Sequence, residues 1–140
     1  LNGGKYPIPK LDKNIPTRFT GKLLNNEHKK IIISSLNSVV QEPRGTAYKL
    51  SISNPEFVKI GGKTGTSQVV RIKESEREDD EYKSKEIEEK FKDHSVFVGY
   101  APYDNPKYIA SVIIENGGSG SAVAAPIAHN VLNFAFKNNV

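Results

Sequence analysis

The clearest hydrophobic pattern in the chain predicts a helix over Asn26–Gln41. Apolar side chains recur there at spacings of three and four residues and give the helix one apolar face, formed by Ile32, Ile33, Leu36, Val39 and Val40. Asn25 or Asn26 can cap its start. Glu42-Pro43 predicts its end, because the residue before a proline avoids helical backbone. Arg44-Gly45-Thr46 then reads as a turn without chemistry of its own.

Three strands are predicted after this helix. The first lies within Val58–Ile72 and is centred on Lys63–Arg71, and the other two are His94–Ala101 and Lys107–Asn116. Turn residues at Pro102–Pro106 predict that the last two form a hairpin. Both alternating faces of Lys107–Asn116 are largely apolar, so we expect other elements to cover both faces.

A final helix should follow the glycine-rich bend Asn116–Ser121 and run to about Phe136. Ser121 can cap this helix. Its predicted core stripe consists of Val123, Ile127, Val131 and Phe134. The predicted order of elements is therefore helix, strand, strand, strand, helix.

Two stretches lack such periodicity. Leu1–Lys22 holds three prolines and three glycines, and we expect an extended loop segment. Lys73–Lys92 is a charge run, which predicts a surface insertion without chemistry. Residues 71–93 contain seven basic and ten acidic residues, although the whole chain carries a net charge of +4. Such a patchwork differs from the one-sided basic surface of nucleic-acid-binding proteins, so no nucleic-acid partner is predicted.

The absence of certain residue types excludes some kinds of bond and binding site. The chain has no cysteine, which excludes disulfides and zinc-finger spacing. It also has no methionine, so Leu1 is not a native start and we expect a processed chain or a piece of a longer protein. The three histidines show no metal-ligand spacing, and we predict neither a metal nor a cofactor. The sequence contains no run of 18 or more apolar residues, which is the length that a membrane-spanning helix needs.

The candidate chemistry lies in Ile60–Val69, with the sequence IGGKTGTSQV. A phosphate-binding P-loop requires a glycine at position 57, which is Phe57, and a helix after the lysine, where a strand is predicted. On a strand, by contrast, Thr64 and Thr66 point to the same side. Two hydroxyls beside the Lys63 ammonium favour binding of a carboxylate. Gly65 between them lets a substrate approach the backbone.

Lys-Thr-Gly is also one of three short motifs of serine penicillin-recognising enzymes. The surrounding stretches SVVQEPRGTAYKL, IGGKTGTSQVVRIK and KDHSVFVGYAPYDNPKYIASVIIENGGSGSAVAAPI extend the likeness over roughly residues 25–138. The chain therefore resembles the C-terminal part of class B penicillin-binding proteins, and in particular those of cell elongation. This resemblance implies an α+β fold of the penicillin-binding protein and serine β-lactamase type, with an antiparallel sheet covered by helices, of which three strands are in this chain.

The resemblance also implies an activity and its setting. The parent would be a D,D-transpeptidase at the periplasmic face of the bacterial inner membrane, anchored by a helix upstream of Leu1. Its substrate would be the D-Ala-D-Ala stem peptide of peptidoglycan, its inhibitors β-lactams, and its partners a glycan polymerase and the elongation machinery. By the family pattern, Lys63 belongs to the catalytic network, Thr64, Gly65 and Thr66 bind substrate, and the Thr66 backbone N–H is an oxyanion donor.

Two family motifs are absent from the printed sequence. No serine is followed three residues later by the lysine of S-x-x-K, so the chain holds no nucleophile. Thr46-Ala-Tyr-Lys49 has that spacing with the wrong residue. Ser35-Leu36-Asn37 matches the letters of S-x-N, but it falls inside the first predicted helix and is read as a chance match. We expect both motifs upstream of Leu1 and the chain alone to be inactive.

Two hypotheses stay open at this point. The first is an inactive C-terminal fragment of the transpeptidase, and the second is a non-catalytic module that binds peptide carboxylates. In the family, the last strand pairs with a strand from the missing part, so the edge of Lys107–Asn116 should be unpaired. Because an exposed apolar edge can pair with another chain, we predict self-association through this strand or packing against a copurifying partner.

Overall fold

The computed structural model describes residues 6–8, 12, 14–16, 18–21, 25–69 and 92–140. Its elements in chain order are β1 (Tyr6–Pro7), β2 (Phe19–Thr20), α1 (Asn26–Gln41), α2 (Lys49–Ser53), β3 (Gly61–Ser67), β4 (His94–Ala101), β5 (Tyr108–Ile114) and α3 (Ala125–Asn138). Strands β1 and β2 form a short antiparallel pair, and β3, β4 and β5 form an antiparallel sheet in that order. The predicted insertion over 73–92 lies outside the described residues, apart from Lys92.

Helix α1 has the predicted bounds, because local signals fix both of its ends. The side chain of Asn25 accepts a hydrogen bond from the His28 N–H at 2.8 Å, and Glu42 takes an extended conformation before the proline. The helix packs over β3 on one face of the sheet. There the Tyr100 hydroxyl donates to Asn37 Oδ1 at 2.7 Å, and burial raises the pKa of Tyr100.

The hydrophobic core lies on the opposite face of the sheet, under α3. Phe97 of β4 is fully buried there, and Leu132 and Ala128 of α3 are buried in the same cluster. Two polar side chains of α3 also fix the segment that leads into β3. Asn133 Oδ1 accepts from the Val58 N–H at 3.1 Å, and His129 Nε2 lies 3.0 Å from the Val58 carbonyl oxygen.

The three predicted strands are present, and β3 lies within the predicted span Val58–Ile72, but its centre is earlier in the chain than predicted. It runs from Gly61, opposite Tyr100, to Ser67, opposite His94. Since β4 begins at His94, no ladder partner exists on β4 for the residues beyond Ser67. Helix α2 was not predicted at all, because a five-residue helix with one buried residue, Leu50, has no periodic pattern.

Two predictions about burial were wrong. The expected cover on both faces of β5 is missing on one face, where Ile109 and Ile113 are exposed. Three of the four residues of the expected core stripe, Ile127, Val131 and Phe134, are exposed. The fourth, Val123, is half-buried and lies in the turn before α3. Small residues and the polar pair described above face the sheet in their place, and the buried positions are Ala125, Ala128, His129, Leu132 and Asn133.

The predicted cap at Ser121 was also wrong. A single π-helical turn, Gly120–Ala124, precedes α3, and the Ser95 hydroxyl of β4 binds it. This hydroxyl accepts from the Ala124 N–H at 3.0 Å and donates to the Ser119 carbonyl oxygen at 3.0 Å. The start of α3 is thus set by a strand side chain, which no local pattern reveals. No helix within the described ranges is long and apolar enough to cross a bilayer.

Candidate active site

Strand β3 is an edge strand whose outer side faces no other described strand. It pairs with β4 alone, and its register with β4 places Gly61, Lys63, Gly65 and Ser67 on one sheet face and Gly62, Thr64 and Thr66 on the other. The sequence prediction that Thr64 and Thr66 share a side is confirmed. Lys63 and Thr66 are exposed, and Thr64 is half-buried.

The backbone groups of β3 alternate between the β4 side and the free edge. A side chain at Gly120 would collide with the carbonyl oxygens of both Gly65 and Val96, so these two oxygens lie together in the gap between the strands. In an antiparallel pair, the N–H and C=O of one residue point the same way and those of its neighbours point the opposite way. The Thr64 and Thr66 groups therefore face the free edge.

The position of the Lys63 side chain agrees with this alternation. Its Nζ donates to the Thr64 carbonyl oxygen at 2.6 Å, which is possible because that carbonyl faces outward. The ammonium thus bends from its own sheet face to the free edge. There it lies on the same side of the strand as the outward N–H of Thr66.

The hydroxyl of Thr64 has a partner that the sequence did not reveal. Thr46 Oγ1 lies 2.9 Å from Thr64 Oγ1, across 18 residues of sequence. The turn that carries Thr46 is held to the end of α1 by two backbone hydrogen bonds, from the Gly45 N–H to the Glu42 carbonyl at 2.8 Å and from the Ala47 N–H to the Val39 carbonyl at 3.0 Å. A side chain at Gly45 would collide with the Val39 carbonyl, so this close approach requires glycine.

An open groove lies beside Lys63, between the second half of α1 and the turn that follows it. Its volume is about 380 Å³, and its lining residues are Ser35, Ser38, Val39, Glu42, Arg44, Gly45, Thr46 and Lys63. Arg44 brings a second cation to this groove, and Glu42 brings a carboxylate. The sequence analysis predicted a turn at Arg44-Gly45-Thr46 and assigned it no chemistry. The signal in the sequence for the contact of this turn with β3 was a glycine followed directly by a residue with a hydroxyl group.

The other sequence candidates have structural hydrogen bonds. Ser35, of the apparent S-x-N match, donates from its hydroxyl to the Ile31 carbonyl at 2.8 Å within α1. Asn37 accepts from Tyr100, as described above. His94 Nδ1 accepts a hydrogen bond from the Asn116 N–H at 2.9 Å. Gly65 lies over Val96, and a Cβ there would be 3.3 Å from Val96 Cβ. Within the described part of the chain, no group of three or more His, Asp or Glu residues could hold a metal ion.

Comparison with known protein families identifies the family of this chain. The sequence matches the family described as penicillin binding protein transpeptidase domain over residues 1–133. The chain belongs to this transpeptidase family. The predicted fold class and the predicted likeness to class B penicillin-binding proteins are thereby confirmed.

Individual penicillin-binding relatives agree with this assignment. Peptidoglycan D,D-transpeptidase MrdA of Haemophilus influenzae is 32% identical over 149 residues, which cover 96% of this chain and 21% of that protein. The crystal structure of Pseudomonas aeruginosa PBP2 in complex with WCK 5153 superposes with a TM-score of 0.60 at 27% identity, over 92% of this chain and 23% of that one. The Helicobacter pylori complex between PBP2 and MreC gives a TM-score of 0.64 at 22% identity, over 91% and 21%. The chain thus spans about a fifth of the length of these penicillin-binding proteins.

Proposed function

We propose that this chain forms the β3 wall of the active site of a serine D,D-transpeptidase that cross-links peptidoglycan stem peptides. In this proposal, residues 1–140 are the C-terminal part of a single transpeptidase domain. This proposal rests on one observation: three groups lie together along one free strand edge. They are the Lys63 ammonium, the Thr64 hydroxyl and the outward Thr66 N–H. The family match over residues 1–133 supports the same assignment.

The first role of this edge is to hold the terminal carboxylate of a D-Ala-D-Ala stem peptide. A carboxylate accepts hydrogen bonds from hydroxyls and from an ammonium, and bonds to charged groups contribute about 1.5–3 kcal/mol each. Thr64 and Thr66 supply the hydroxyls on one face. Lys63 supplies the charge at the edge, and Gly65 keeps the strand narrow beside Val96.

The second role is to stabilise the oxyanion of the acyl transfer. The backbone N–H of Thr66 is one of two donors to the carbonyl oxygen that becomes negative when the serine attacks. Loss of one such donor lowers kcat by about 100- to 1000-fold in enzymes of this kind of chemistry. A rigid strand is a suitable carrier for this donor, because the pairing with β4 fixes its direction.

The nucleophile comes from outside these 140 residues. The printed sequence has no S-x-x-K, so a serine activated by lysine is supplied by another part of the parent protein. β-Lactams acylate that same serine. The chain alone is therefore inactive in both the transpeptidase and the penicillin reaction.

The parent works at the periplasmic face of the inner membrane, with its membrane anchor outside this chain. Its partners are a glycan polymerase and the elongation machinery. The H. pylori structure, in which PBP2 is bound to MreC, supports a partner of the second kind.

A binding titration tests the site. N-acetyl-D-Ala-D-Ala is added to the ¹⁵N-labelled chain, with its C-terminal amide as the control ligand. The acid should shift the amide signals of Lys63, Thr64, Gly65 and Thr66, and the amide should not, because it lacks the charge. Lys63→Ala should weaken binding by roughly tenfold. Absence of shifts with both ligands, or equal shifts, would overturn the proposal.

A mass measurement tests the inactivity. The chain is incubated with a reactive penicillin and its intact mass is determined. No added drug mass is expected. A stoichiometric adduct that survives denaturation would mean that a serine or threonine of this chain is activated by some other base. Thr46 and Ser67 would then be the first residues to replace.

A further inference from the structure

Polar side chains from two helices hold the three residues that lead into β3. Asn133 Oδ1 accepts a hydrogen bond from the Val58 N–H at 3.1 Å, and His129 Nε2 donates to the Val58 carbonyl oxygen at 3.0 Å. From the last residue of α1, Gln41 Nε2 donates to the Ile60 carbonyl oxygen at 2.9 Å. Helices on both faces of the sheet therefore bind the backbone directly before the strand of the candidate site.

These hydrogen bonds lie largely inside the molecule. His129 and Asn133 are buried, Ile60 is fully buried, and Gln41 is half-buried. A hydrogen bond weakens steeply when its distance or angle changes, whereas apolar contact is non-directional. The three side chains therefore fix the position of the backbone, in addition to pairing its polar groups.

Strand β3 itself carries no apolar side chain that anchors it in the core. Its sequence is GGKTGTS, and among the described strands it pairs with β4 alone. A cavity of about 40 Å³ also borders the preceding segment, and its lining includes Val58, Lys59, Ile60, Gln41 and His129. Close packing therefore does not hold the backbone on the side of this cavity, and the hydrogen bonds from the helices do.

The bond from Gln41 also connects the start of β3 to the groove beside Lys63. Gln41 is the last residue of α1, and the turn that carries Thr46 is bonded to the same end of that helix. From this turn, Thr46 Oγ1 lies 2.9 Å from Thr64 Oγ1. A shift of β3 relative to α1 would therefore lengthen both contacts and move Lys63 relative to the groove.

We propose that Gln41, His129 and Asn133 are positioning residues of the candidate site. By holding the backbone before β3, they determine where Lys63–Thr66 lies relative to the turn that carries Thr46. None of the three lines the groove itself, so they act on a ligand only through the strand. The effect on ligand affinity rests on the proposed function, whereas the effect on the position of β3 does not.

Hydrogen exchange tests the effect on β3 without any ligand. The N–H groups of Lys63 and Gly65 face β4 from one side, and that of Val112 faces β4 from the other. Gln41→Met removes the donor but keeps a side chain of similar length, so it should raise the exchange rates at Lys63 and Gly65 by roughly tenfold and the rate at Val112 by less than about twofold. The matched control is Leu132→Val, which loses core packing but none of these bonds and should change all three rates by the same factor. Equal factors in Gln41→Met, or no change there, would overturn the proposal.

Two variants at one position test the effect on the ligand. His129→Gln keeps an N–H donor for the Val58 carbonyl oxygen, and His129→Leu has a similar size without a donor. At pH 7.5, titration of the folded variants with N-acetyl-D-Ala-D-Ala should give a Kd raised by roughly tenfold in His129→Leu and within about twofold of the wild type in His129→Gln. The same Kd in both variants would contradict the proposal.

Two further outcomes have a defined meaning. If His129→Leu does not fold, Gln41→Met takes its place, because Gln41 is only half-buried, and the same rise in Kd is expected. A wild-type chain that does not bind the ligand would overturn the proposed function, and the exchange rates at Lys63 and Gly65 would then decide whether the three residues position β3.

Discussion

His129 shows how a single buried side chain makes the fold sensitive to pH. It is 3% exposed, its Nε2 lies 3.0 Å from the Val58 carbonyl oxygen, and its Nδ1 is buried without a hydrogen-bond partner in the described structure. The neutral ring, with its proton on Nε2, donates a hydrogen bond to the Val58 carbonyl oxygen. A second proton on Nδ1 would be buried without an acceptor.

This arrangement predicts lower stability in acid. Burial lowers the pKa of His129 in the folded chain, whereas the unfolded chain keeps the ordinary value of 6.5. Between these two pKa values the unfolded chain binds more protons, so the free energy of unfolding falls as the pH drops below 6.5. Urea unfolding at pH 7.5 and pH 5 should show this loss.

Two variants separate this effect from general acid sensitivity. His129→Gln keeps an amide donor for Val58 and removes the titration, so its loss of stability between the two pH values should be smaller than in the wild type. His28→Gln, on the exposed start of α1, should lose as much as the wild type. An identical pH dependence in His129→Gln and wild type would contradict the prediction.

Helix α3 shows which parts of an element follow from sequence and which do not. The bounds of α1 and β4 were predictable, because capping residues, proline and alternation act locally. The buried face of α3 was not predictable, because apolar residues repeat with the same helical period on two of its faces. The sheet accepts the face with the smaller residues, Ala125 and Ala128, which allow the helix backbone to come close to β4. The larger side chains of the predicted stripe are left outside.

Some residues of the candidate site were also predictable from the sequence, and others were not. Lys63, Thr64 and Thr66 were predictable, since strand alternation alone places the two threonines on one face. Thr46 was not, because its approach to Thr64 depends on how the turn after α1 folds back onto β3. The position of Arg44 in the groove depends on the same turn. Contacts between residues far apart in sequence thus escaped the pattern analysis.

A pair of substitutions in α3 tests the corrected face. Leu132 is 1% exposed and Phe134 is 65% exposed, although the sequence pattern assigned the phenylalanine to the core. Leu132→Ala should lower the free energy of unfolding by about 2–5 kcal/mol, because it leaves a cavity against Phe97. Phe134→Ala should change it by about 0.5 kcal/mol or less, as for surface positions. Urea unfolding measures both, and a larger loss for Phe134→Ala would restore the original prediction.

At the scale of the whole molecule, the strand order decides where the candidate site can lie. Strand β4 lies between β3 and β5, and its Phe97 is fully buried. Among the described strands, β3 pairs with β4 alone, so its other side stays open beside the groove that Lys63 lines. A peptide can reach unpaired backbone groups only along such an edge, because the groups of a central strand are used by its neighbours. The position of the site therefore follows from the order of the strands as much as from the residues of β3.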